Sequence, residues 1–250
     1  FAPILLSATP VPVVEVARPM PLRELYTGSP LGTVGIFLLG SAFATQTGMG
    51  AVFGTQIGLT AIQIALFIAM LFSGALVLQY PIGWLSDQMD RRKLIFGAAS
   101  LGAASCALGW LTSGVLWPLM VSAFFAGGVA MPLYALLLAH ANDSLSTEDM
   151  PAASGGLVFT FGLGAILGPL VTGLAMQGLG PYGFWLVLGA TFCAIAFYAL
   201  YRMTQRATVP VDETESYLNV LPTATLVAVE AAAEWAAENA EAEREAEGQS

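Results

Sequence analysis

Of the chain's 250 residues, 56% are hydrophobic and only 10% charged, and its mean hydropathy is +0.74. Soluble domains carry about a quarter charged residues, so a body that meets water on most sides is excluded. The formal charge of −9 is local, since ten of the seventeen acids lie from Asp212 onward, and it implies no nucleic-acid partner.

In chain order, FAPILL (1–6) is apolar but too short for the core of a signal peptide and lacks a basic lead. It reads as the end of a preceding hydrophobic segment. The first thirty residues hold six of the fourteen prolines and form an extended interdomain linker over 1–30, with a short surface helix in LRELY. Six neutral stretches follow: Leu31 to Phe53, Thr60 to Ile82, Leu94 to Thr112, Val115 to Ala139, Ser154 to Met176 and Gly183 to Met203. Each has roughly the 20 residues that cross about 30 Å of hydrocarbon as helix. Lipid offers the backbone no other partners, so these stretches must be helical. The expected fold is an all-α polytopic membrane protein with a six-helix bundle over 31–206. The tail, 207–250, is rich in Ala and Glu and strongly helix-forming. Glu230, Glu234, Glu238, Glu241 and Glu245 would share one face of a solvated helix or of a helix that docks a partner protein.

Within the spans, Cys106 and Cys193 read as small packing residues, and no loop cysteine suggests a disulfide. Gly50–Gly54–Gly58, Ala98–Gly102–Cys106 and Gly164–Gly168 are spaced by four, as close helix packing requires. Pro132 and Pro169 lie inside spans and are expected to bend or interrupt them.

Basic residues mark the cytoplasmic side of short membrane loops. Two spans separate Arg18 and Arg23 from Arg91, Arg92 and Lys93, and four more separate these from Arg202 and Arg206. Both counts are even, so all these bases share one side. The connections near Gly54–Gly58, Ser113–Gly114 and Gln177–Tyr182 carry no Lys or Arg and fall opposite. Both ends are therefore expected in the cytoplasm.

Between Tyr26 and Tyr201 the chain has eight formal charges, gathered in two islands. One is GWLSDQMDRRK (83–93), with Asp87, Asp90, Arg91, Arg92 and Lys93. The other holds Asp143, Glu148 and Asp149. A generic turn would explain the bases but not Gly83, Leu85 and two acids at fixed offsets before an arginine pair. Gly-x-Leu-Ser-Asp-x-x-Asp-Arg-Arg resembles the loop motif of the major facilitator superfamily, which joins the second and third helices of each six-helix half. HANDSL (140–145) and AASGGLVFTFGLGAILGPLVTGLAMQGLGPYGFW (152–185) resemble its bacterial YcaD-like branch.

The resemblance implies the carboxyl-terminal half of a twelve-helix carrier in a bacterial inner membrane. Such a carrier would move a small solute by alternating access against an amino-terminal half. It further implies that Asp87 faces a helix start in the other half, and that Asp90, Arg91 and Arg92 complete a conformational latch with Gly83 and Leu85. GLGAILGPLVTG (162–173) partly resembles the superfamily's antiporter motif but sits in the fifth helix of the second half. Gly164, Gly168 and Pro169 there are better read as packing and a bend.

In such carriers the first and fourth helices of each half line the cavity, which makes Ser41, Thr45, Gln46 and Tyr134 the solute candidates. No Asp, Glu, Lys or Arg lies in the middle of a span, so a coupling carboxylate for H+ would belong to the other half. His140, the single histidine, is a candidate proton relay or a polar helix-end residue. No cofactor and no metal are expected. An intramembrane serine protease is excluded, because no Gly-x-Ser-Gly occurs and the one His is at a membrane edge. A receptor or scaffold with the carrier fold, acting through its acidic tail, remains as the alternative.

Overall fold

In a computed structural model, the structure describes residues 20–145 and 150–205. The linker before residue 20, Glu148, Asp149 and the acidic tail with its expected helix lie outside the described residues. Helix α1 (Leu22–Gly28) precedes α2 (Pro30–Ala44), a π-helical turn (Thr45–Met49) and α3 (Gly50–Gln56). Then come α4 (Ala61–Ser86), α5 (Arg91–Leu111), α6 (Leu116–Asn142), α7 (Met150–Leu179), a 3-10 turn (Gly180–Tyr182) and α8 (Gly183–Met203). Helix covers each of the six apolar stretches. By length and apolarity five stretches among the described residues can cross a membrane, because the last, Ala152–Gln205, runs through both α7 and α8 over 54 residues.

Several helices run a turn past their apolar stretches, since the hydrogen-bond ladder stops at capping residues and not where apolarity ends. Thr60 opens α4 with a capping box: its Oγ1 accepts from Gln63 N–H, and its own N–H donates to Gln63 Oε1 at 2.9 Å. Asp90 opens α5 by accepting the Arg92 N–H at 2.9 Å. At the other end of the bundle, Gly58 and Gly180 turn the chain with φ of +79° and +72°, a region that costs glycine little.

Pairing is selective: α4 lies on α6, α2 on α7, and α5 on both α8 and α6. Helix α6 is central, with 78% of its apolar window buried, whereas α4 is peripheral at 22%. Among lipid tails, helices gain nothing by merely hiding apolar surface, so close backbone contact must hold them together. Glycines provide it at two crossings. A Cβ on Gly40 or Gly164 would fall on the carbonyls of Phe161 and Phe37, which locks α2 to α7. A Cβ on Gly74 or Gly127 would fall on the carbonyls of Phe124 and Leu71, which locks α4 to α6.

Helices α6 and α7 continue through Pro132 and Pro169, so of the two expected outcomes, bend or interruption, interruption does not occur. The π-turn at Thr45–Met49 holds no proline.

Candidate functional site

Two constellations of polar side chains break the apolar bundle. The first brings the charged turn of residues 83–93 together with Asp143, the member of the second charge island that lies among the described residues. Gly83 to Ser86 form the last turn of α4 and Arg91 to Lys93 the first turn of α5, with Asp87 to Asp90 between them. Gly83 is buried, while Leu85 and Asp87 are exposed. Asp90, besides capping α5, approaches Arg92 Nε at 3.5 Å. Arg91 reaches across to the end of α6, where its Nη1 donates to both carboxylate oxygens of Asp143 at 2.6 Å. The two side chains are only 3% and 5% exposed, so this pair is shielded from water. Arg91 Nε and Nη2 have no hydrogen-bond partner among the described residues. His140, half-buried one turn before Asp143, lies in the field of Arg92, Asp90, Arg91 and Arg202.

The sequence marks Asp143 as a helix-end acid but not as a partner of the basic turn, since its loop holds only acids and acids say little about topology. A signal was there. The even span count puts both islands at the same end, which leaves the second as the natural counter-charge of the first.

The second constellation is at mid-depth. Gln46, in the π-turn, donates from Nε2 to the Ala126 carbonyl of α6 at 3.1 Å. Thr45 and Thr172 of α7 share a buried hydroxyl–hydroxyl bond of 2.9 Å. Tyr134 is buried edge-on to Phe161, with ring centroids 5.4 Å apart. Ser41 is half-buried where Gly168 meets its backbone. Thr45 and Tyr134 thus both turn toward α7 and Gln46 toward α6. The π-turn presents a hydroxyl the sequence did not single out, that of Thr47, which is exposed. Thr172 was missed as well, being one polar residue in an apolar run.

Residues 27–236 match the sequence profile of the Major Facilitator Superfamily. The chain is 25% identical over 147 residues to the MFS-type transporter YcaD of Escherichia fergusonii, covering 59% of this chain and 37% of that protein. It is 30% identical over 129 residues to the MFS-type transporter YfkF of Bacillus subtilis, covering 50% and 32%. It therefore spans well under half the length of these relatives. A crystal structure of an auto-inhibited POT family peptide transporter has a similar fold, with a TM-score of 0.63 at 16% identity over 74% of this chain and 39% of that one. The apolar helices, the charged turn after the second of them and the profile match lead to one assignment: the chain is an integral membrane protein of the Major Facilitator Superfamily.

Proposed function

We propose that this chain is the carboxyl-terminal half of a secondary transporter that moves a small solute by alternating access, packed against an amino-terminal six-helix half. The observation that carries the reading is the buried Arg91–Asp143 pair, which ties the turn between the second and third spans to the end of the fourth. A buried pair at a helix junction has two arrangements, closed or broken, and a carrier needs such an element to hold one state until the solute shifts the balance. In this reading both ends are cytoplasmic in a bacterial plasma membrane, and exposed Asp87 faces the other half. A coupling proton, where used, passes through a carboxylate of that half or through His140.

The test is counterflow of labelled neutral solutes into proteoliposomes holding the full-length protein. Uptake above protein-free vesicles should survive removal of residues beyond Arg206 and fall in Arg91→Ala. If no solute exchanges and the binding of a soluble partner depends on the acidic tail, the receptor or scaffold reading replaces this one.

A further inference from the structure

A shallow groove opens between the first, second and fourth spans, lined by Phe43, Gln46, Thr47, Phe72, Ala130 and Met131 among others. These residues stand near the middle of their spans, the depth at which carriers hold solute. At its deepest the groove has room for about 10 Å³, roughly one water, so it is a floor and not an enclosed site. Its chemistry is narrow. Apart from Thr47 and the buried Gln46 the walls are aromatic and aliphatic, and no charged side chain lines them. The polar group that faces outward is the Thr47 hydroxyl, which spends its only hydrogen on the Phe43 carbonyl at 2.9 Å. A hydroxyl has one donor and two acceptor lone pairs, so Thr47 Oγ1 meets a solute as an acceptor.

We propose that this groove is a solute subsite for an uncharged molecule with an apolar, aromatic-sized body and an O–H or N–H group that donates to Thr47 Oγ1. The proposal rests on the transport reading and narrows it to a solute class and a specificity-determining residue.

The probes are 2-naphthol and 2-methoxynaphthalene, which share a ring system and differ in the donor. The reporter is a Met131→Cys thiol, since Met131 lines the groove and is partly exposed. It is placed in full-length protein carrying C106A and C193A, in nanodiscs. 2-Naphthol should slow alkylation of this thiol by N-ethylmaleimide. 2-Methoxynaphthalene should protect about fivefold less well, the worth of one hydrogen bond. Thr47→Val should abolish that difference and Thr47→Ser restore it. Equal protection by both probes, no protection by either, or a difference that persists in Thr47→Val overturns the proposal. Alkylation is read without transport. Lost protection in a protein that still shows counterflow therefore sinks the subsite alone, and protection without counterflow sinks the transport reading alone.

Discussion

Arg91 is the first residue of α5 and Asp143 caps the end of α6, so each charge faces the unfavourable pole of its own helix. Neither would be placed there for local reasons, and together they cancel. A buried pair contributes little net stability, but removing one partner strands the other charge at a cost of about 3–5 kcal/mol. Asp143→Ala should therefore lower the thermal unfolding midpoint of purified protein by several degrees. The exchange Arg91→Asp with Asp143→Arg sets both charges to suit the helix poles and should regain more than half of that loss. A midpoint unchanged in Asp143→Ala would mean that water already screens the pair. The Thr45–Thr172 bond obeys a gentler rule. Thr45→Val or Thr172→Val alone strands one hydroxyl and should cost about 1 kcal/mol, while the double variant should cost little more than either. A double-mutant cycle without coupling would show that the two hydroxyls are satisfied separately. These pairings explain what the sequence could and could not reveal at this scale. The caps at Asp90 and Thr60 were not singled out in the sequence, although their partners lie within three residues. Arg91–Asp143 and Thr45–Thr172 join residues 52 and 127 apart, and only the packed bundle brings them together.

At the scale of elements, the apolar stretches announced the helices because lipid leaves a backbone no alternative. The π-turn was not legible. It adds a residue to a turn without a change in composition, and the bonds from Thr45 and Gln46 to α7 and α6 that accompany it are tertiary. The glycine spacing was informative about close packing but silent about which glycine meets a neighbour. Helix α7 separates the cases within one turn: a Cβ on Gly164 would strike the Phe37 carbonyl, whereas nothing lies within 4 Å of a Cβ on Gly162. Gly164→Ala should cost at least about 2 kcal/mol, because backbone cannot yield as a side chain can. Gly162→Ala should be neutral or stabilising by up to about 1 kcal/mol. Denaturation in mixed micelles would compare them, and equal stabilities would place the α2–α7 crossing farther apart than described.

For the whole molecule, the open quantity is the number of crossings. The stretch Ala152–Gln205 could be one span or two. As a straight helix its 54 residues would extend about 80 Å, far beyond the roughly 30 Å of hydrocarbon. The turn at Gly180–Tyr182 and the position of Gly183, whose Cβ would lie 2.5 Å from the Ala175 backbone carbon, fold α8 back beside α7. Arg202 adds an independent argument, since two crossings return it to the side of Arg91 and Arg92, as the distribution of basic residues favours. Substituted cysteines in a Cys106→Ala, Cys193→Ala background decide the matter. With two crossings, a membrane-impermeant maleimide should label Gln88→Cys and Gln205→Cys from the same face and Gly178→Cys from the other. A single crossing would move Gln205→Cys to the face opposite Gln88→Cys. That result would part α8 from α5, against which it packs, and with it dissolve the pairing of helices on which the proposed latch and solute groove both depend.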